Sequence, residues 1–325
     1  MANDYLDKAR ELLRLEAQAI ANLESKIDDN FRQAVEVLYN VRGKVIIAAV
    51  GKSGHVGRKI AATFSSTGTP SFFIHAYEAG HGDLGVIAAN DALLMISNSG
   101  ETDELIDMIP AARKLGIPII GLLGNLNSTL ARKCDIVLDT GVSSEADPLN
   151  VVPTSSSIVA LAMGDALAIA LLTKRDFKAI DFAGLHPSGT LGRRLLTTVE
   201  DLMHTGEAIP FVHENSPMAT ALFMMTKKGL GIVGVLDDND ELVGVITDGD
   251  LRRGLERTKD FMNQLSKEIM SRNPKWIAQN VLAIDALHKM EEFAITNLFV
   301  YREKKEGRPI GIIHIHDILR YGIMS

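Results

Sequence analysis

The chain has 325 residues, 46% hydrophobic and 23% charged, an ordinary globular composition with room for two domains that each bury a core. A net charge of −7 with no long basic run argues against a nucleic-acid partner, and the single cysteine, Cys134, excludes an intramolecular disulfide and fits a reducing compartment. The acidic start MANDYLDKARELL has no secretory apolar core, and the longest apolar stretch, 158–172, is broken by Asp165 and short for a bilayer, so a soluble cytoplasmic protein outside the membrane is expected.

Residues 3–40 read as helix, because Leu12, Leu13, Leu15, Ala19, Ile20 and Leu23 form an apolar stripe with charges opposite. KVIIAAV (44–50) is a short apolar run ending in a glycine loop, and a helical stretch follows from His55 to about Ser65. SFFIH (71–75), ALLMIS (92–97), IPIIGLL (117–123) and DIVLD (135–139) are further strands, with a helix over 101–115 that starts at an acidic turn. Short apolar strands alternating with helices predict a parallel sheet covered on both faces, with ligands at the carboxyl ends of the strands. The second half repeats itself at an offset of 67 residues: Asp201-Leu202-Met203 matches Glu268-Ile269-Met270, and GVITDGDLRR (244–253) matches GIIHIHDILR (311–320). Each copy reads as a leading segment, a helix, two strands and a closing helix.

Three loops carry chemistry. Gly51-Lys52-Ser53-Gly54 lacks the glycine at 46 that a nucleotide P-loop needs, since Ile46 stands there, and its G-x-x-G-x-x-G spacing is not a dinucleotide fingerprint. What remains is a strand–helix turn whose N–H groups, lysine and hydroxyl suit an anion. A tight turn with a solvated lysine explains the same residues equally well. Ser97-Asn98-Ser99-Gly100-Glu101-Thr102 precedes the next helix, and its three hydroxyls can grip a phosphate, although a capping box led by Ser99 accounts for one of them. Pro153-Thr154-Ser155-Ser156-Ser157 is a third hydroxyl cluster just before a helix. Together the three loops point to a phosphorylated ligand.

GKSGHVGRK (51–59), ATFSSTGTPSFF (62–73), HGDLG (81–85), SNSGET (97–102), PTSS (153–156), MGDALA (163–168) and LHPSGTLGRR (185–194) resemble, in order, the SIS domain of arabinose-5-phosphate isomerases. The repeated tail resembles the tandem CBS pair of the same family. The resemblance implies an α/β fold: a SIS-type parallel sheet sandwiched by helices over 1–197, then a CBS (α+β) pair over 198–262 and 263–325. It implies an aldose–ketose isomerase that interconverts D-ribulose 5-phosphate and D-arabinose 5-phosphate through an enediol. No cofactor is required, and the product supplies 3-deoxy-D-manno-octulosonate biosynthesis.

The positions matching the family's catalytic set are Lys52, His81, Glu104 and His186. Lys52 would neutralise charge on the enediolate or phosphate, and His186 would transfer protons or act as general base. Glu104 competes for the carbon proton, and His81 is a polar partner or second acid/base. Ser53, Gly68, Thr69, Ser97, Ser99, Thr102, Ser155 and Ser156 would hold the substrate and its phosphate. His75 matches a zinc position, an inhibitory metal rather than a required one. In the tail, Thr247, Asp250 and Asp317 match nucleotide-holding positions, with His314 where the second hydroxyl is expected. The implied effector is an adenosyl nucleotide or the activated sugar CMP-3-deoxy-D-manno-octulosonate. Sites of this kind are built at subunit contacts, and a homotetramer is expected. Two rivals stand. A non-catalytic phosphosugar sensor would need a basic helix-turn-helix, which the acidic first 40 residues do not supply. The other is an isomerase of another sugar phosphate.

Overall fold

The helix expected over 3–40 is two helices, α1 (Asp4–Leu23) and α2 (Asp29–Asn40), separated by a 3-10 turn at Glu24–Lys26. Asp28 restarts the chain as an N-cap, its carboxylate accepting from the N–H groups of Asn30 (2.9 Å) and Phe31 (3.2 Å). The apolar stripe does not report this break, because Ala19 and Leu23 of α1 and Leu38 of α2 pack into one core. The computed structural model describes residues 4–147, 149–257 and 260–324, in two compact units, Met1–Phe182 and Ala183–Ser325.

The first unit is built on β1 (Val45–Ala49), β2 (Ser71–His75), β3 (Ala92–Ser97), β4 (Ile119–Leu123) and β5 (Ile136–Asp139). They lie in the order β2-β1-β3-β4-β5, with every pairing parallel. The connections hold α3 (Gly51–Ser66), α4 (Ala76–Ala79), α5 (Asp103–Leu115) and α6 (Thr129–Lys133); α7 (Ser155–Lys174) follows β5, and α8 (Ala179–Leu185) runs across the division between units. Helices cover both faces. Ile47, Leu94, Ile120 and Leu122 join Leu38, Phe64, Met163 and Leu167 of α2, α3 and α7 in one core. Ile46, Leu93, Met95 and Ile119 join Leu105, Met108 and Leu130 of α5 and α6 in the other. Burial on both faces is why these strands are unbroken apolar runs, and each such Leu or Ile contributes about 1.5–3 kcal/mol. By length and composition alone α7 is apolar enough to cross a membrane, and it packs against α1, α2 and α3 in this core.

Two helix starts differ from expectation. α3 begins at Gly51 rather than His55, so Lys52 and Ser53 lie in its first turn. α5 begins at Asp103, with Thr102 as its cap residue. From β1 the chain steps to β2 on one side and then to β3 on the other, so the strand order reverses between β1 and β3. A crevice at the carboxyl ends of those two strands is where such sheets bind ligands.

The second unit opens with α9 (Thr190–Leu196). Arg193 Nη1 of α9 donates to the Tyr321 carbonyl (2.9 Å), and the Ala283 N–H donates to that of Thr197 (2.9 Å), so this segment groups with the repeats by its contacts. The first copy holds α10 (Val199–Leu202), β6 (His204–Thr205), β7 (Phe211–His213), α11 (Met218–Lys228), β8 (Ile232–Leu236), β9 (Leu242–Thr247) and α12 (Asp248–Arg257). The second holds α13 (Ser266–Ile269), β10 (Ser271–Arg272), β11 (Trp276–Ala278), α14 (Ala283–Glu292), β12 (Asn297–Tyr301), β13 (Gly311–His314) and α15 (Ile315–Arg320). Each copy has two short strands before its long helix that no periodic pattern announced.

The sheets are β10-β9-β8-β7 and β11-β12-β13-β6. The copies therefore exchange a strand: β6 completes the second copy's sheet and β10 the first's. Met203 and Met270, 67 residues apart, press their side chains on Gly311 and Gly244 of the receiving sheets, where a larger residue would not fit. Ile232, Leu236 and Leu242 of one sheet and Phe299 and Ile312 of the other share one core with Ile209.

Candidate active site

Most of the residues singled out in the first unit gather where its strands end. Gly51 takes φ 53°, a left-handed conformation that lets β1 turn at once into α3. Lys52 is exposed and Ser53 half-buried just beyond it. Ser97, the last residue of β3, is buried, shares a hydrogen bond with the Thr102 hydroxyl (2.9 Å) and accepts from the Gly100 N–H (3.0 Å). Ser99 Oγ accepts from the Glu101 N–H (3.2 Å) and so does not cap α5. Thr102 makes no side-chain cap either, which leaves the first amides of α5 uncapped by side chains and suited to an anion.

At the start of α7, Ser155 and Ser156 are buried, and the Ser155 hydroxyl has no hydrogen-bond partner among the described residues. Leaving it so costs about 1–3 kcal/mol, which a ligand oxygen would offset. Beside it stands Glu145, which no sequence pattern marked. Its Oε2 accepts from the Thr154 N–H (2.9 Å), the Thr154 hydroxyl (3.1 Å) and the Ser156 N–H (3.2 Å). Burial pushes its carboxyl up, but the hydrogen bonds from Ser156 and Thr154 outweigh that and hold it below the usual carboxylate range. The available signal was the long connection 140–154, whose described residues form no helix or strand, since a stretch of that length is commonly functional.

His81 and Glu104 come together. A cavity of about 290 Å³ is lined by Ala76, Tyr77, Gly80, His81, Leu84, Glu104, Asp107 and Met108, and the Tyr77 ring lies 4.8 Å from that of His81. Lys52 is not among these lining residues; it sits at the end of β1, next to β3. His75 ends β2 and packs on α3, its Cδ2 3.7 Å from where a Cβ on Gly54 would stand. Among the described residues no group of three His, Cys, Asp or Glu side chains could hold a metal.

Two expected substrate residues lie elsewhere in this chain. Gly68 and Thr69 follow α3 and precede β2, at the amino ends of the strands, where the Val45 N–H bonds the Pro70 carbonyl (2.8 Å). Thr69 is buried and its hydroxyl accepts from Arg175 Nε (3.3 Å), while the Phe177 ring covers Gly68. Their residue types serve that turn. His186 belongs to the second unit, exposed in the turn between α8 and α9, with its carbonyl accepting from the Gly189 N–H (3.0 Å).

In the repeats, Asp250 Oδ2 accepts from the N–H (2.8 Å) and hydroxyl (2.7 Å) of Thr247, and Oδ1 pairs with Arg253. The second copy differs. Asp317 pairs with His204 Nε2 (2.8 Å) on the exchanged strand β6, and His314 Nδ1 accepts the His316 N–H (3.0 Å).

The chain matches the SIS domain family over residues 37–170 and the CBS domain family over 199–257 and 266–323. It is 47% identical to arabinose 5-phosphate isomerase KdsD of Pseudomonas aeruginosa, over 99% of this chain and 98% of that protein. It is 43% identical to arabinose 5-phosphate isomerase KdsD of Escherichia coli K12, over 99% and 97%. Among solved structures, that of E. coli CFT073 c3406 in complex with arabinose 5-phosphate is similar with a TM-score of 0.54 at 42% identity, covering 57% of this chain and 98% of that one.

Proposed function

Because the chain belongs to the arabinose 5-phosphate isomerase family, we propose that it interconverts D-ribulose 5-phosphate and D-arabinose 5-phosphate. The observation that carries this reading is the cavity shared by His81 and Glu104 at the strand ends, where an acid and a base can serve one ligand. In the ketose, a base takes a proton from C1, the electron pair forms the C1=C2 bond of an enediolate, and the C2 oxygen gains a proton. Protonation of C2 and loss of the O1 proton then leave an aldehyde at C1. No electron acceptor is consumed.

Lys52 would neutralise the enediolate or the phosphate. Glu104 or His186 takes the carbon proton, and His81 serves the oxygens. The loops at Ser97–Thr102 and Thr154–Ser156, with Ser53, would grip the phosphate. Glu145 accepts from Thr154 and Ser156 through Oε2, and its carboxylate would orient a sugar hydroxyl through Oε1. Incubation with ribulose 5-phosphate should give arabinose 5-phosphate signals by NMR. Binding of the sugar phosphate without turnover would favour the sensor instead.

The same reading has the enzyme in the cytoplasm, supplying 3-deoxy-D-manno-octulosonate synthesis, as a homotetramer whose subunit contacts bring His186 to the site. Exposed Leu13 and Ile20 on α1 and Ile169 on α7 support self-association. An active monomer in gel filtration would refute the assembly. Zinc at His75 is taken as inhibitory, with no metal or cofactor required, so chelation should leave turnover intact. A nucleotide or CMP-sugar effector at Thr247, Asp250 and Asp317 should give heat in titration calorimetry, and no heat would leave the tail a structural module.

A further inference from the structure

The turn between α1 and α2 carries one side chain that reaches the end of the sheet. Lys26 Nζ donates to the Gly141 carbonyl (2.7 Å) and pairs with Asp139 Oδ1 (3.0 Å). The same carboxylate oxygen accepts from the Gly141 N–H (2.7 Å). Both polar groups of Gly141 are thus held where β5 ends and the connection to α7 begins. Lys26 and Asp139 are only 24% and 33% exposed, so water competes weakly for these bonds.

Gly141 is closed on a further side. A Cβ there would lie 2.7 Å from the Gly124 carbonyl oxygen. Gly124, just beyond β4, is in turn pressed on Asn98, whose carbonyl oxygen would lie 2.6 Å from a Cβ on Gly124. The Gly124 N–H donates to the Ser97 carbonyl (3.2 Å). Lys26 therefore stands at the outer end of a row of contacts that crosses the ends of β5, β4 and β3 and finishes in the hydroxyl loop 97–102. Packed backbone without side chains has little slack, so a shift at one end of such a row is passed along it.

We propose that Lys26 is a positioning residue for the isomerisation. It sets the connection that carries Glu145 in register with the hydroxyl loop, without touching substrate. This rests on the functional reading above. A compact ammonium on a long stem is suited to the task, because it reaches a carbonyl and a carboxylate at once from a turn outside the sheet.

The test is Lys26→Met in the full chain, which keeps the stem and removes the donors. With ribulose 5-phosphate as substrate, kcat should fall about ten- to a hundredfold while KM moves by less than about threefold, as expected when a group is misplaced rather than removed. Lys26→Arg, which keeps the donors, should recover most of the loss. Amide hydrogen exchange over 141–147 and 149–152 should rise in Lys26→Met while that of β1 and β3 stays unchanged. A lowered Tm with unaltered kcat and unaltered exchange in the connection would overturn the proposal. If the unmutated chain shows no turnover, the functional reading fails on its own, and unchanged exchange in Lys26→Met would still overturn the positioning role.

Discussion

A buried hydroxyl with no partner among the described residues and a carboxylate held by Thr154 and Ser156 stand at the start of α7. One costs stability and the other contributes it, and both suit a place where a charged ligand is handled. Ser155→Ala should therefore leave the free energy of unfolding unchanged or raise it by up to about 1 kcal/mol, while KM for the sugar phosphate rises. A thermal melt and initial rates on the same sample check both halves. Glu104→Gln and His186→Ala should each lose most of kcat with the fold intact by circular dichroism, and near-normal turnover in both would end their assignment. The hydroxyl loops were legible because their residues are consecutive. Glu145 was not, because its meaning lies in Thr154 and Ser156, which only the fold brings to it. Gly68 and Thr69 show the converse: the motif was found, but its place at the amino ends of the strands depends on where α3 stops.

Strands buried on both faces were read almost to the residue, since an apolar run such as 92–97 leaves no other use for six buried side chains. Helix ends were read less well, because Gly51 acts through a left-handed backbone that composition does not encode, and Asp28 is one of several acids in the first 40 residues, of which only the fold shows which one caps. At the same scale the repeats hold a proton-sensitive junction where β6, β13 and α15 meet. The His314 imidazole is held below its ordinary range, first by burial, then by His316, His204 and Arg320, against the opposing pull of Asp317. A group whose pKa is lower folded than unfolded contributes stability that is complete above the unfolded value of about 6.5. That contribution declines as pH falls below it and is lost through the folded value, because the unfolded chain binds the proton first. The unfolding midpoint of the second unit should therefore drop as pH falls below about 6.5, and His314→Gln should flatten that drop. Parallel pH profiles for the two proteins would show that His314 does not govern it.

The tandem repeat was visible in the sequence from its 67-residue offset, but the exchange of strands was not, because two residues such as His204-Thr205 carry no periodicity. That exchange makes the two copies one cooperative body. Residues 198–262 made alone lack β10 and the Met270 contact on Gly244, so they should show no cooperative melt, whereas 198–325 should. A sharp transition in the shorter piece would count against interdependence.

The exchange also sets an order of events during synthesis. β10 finds its partner β9 already made, but β6 leaves the ribosome first of all the strands in its unit and has to wait for Gly311 and Ile312. Pairing across such a stretch of chain is slow to form, and until then Met203 has no glycine to sit on. The second unit can therefore close only after residues 311–312 have left the ribosome, which makes its last strand the step on which the first one depends.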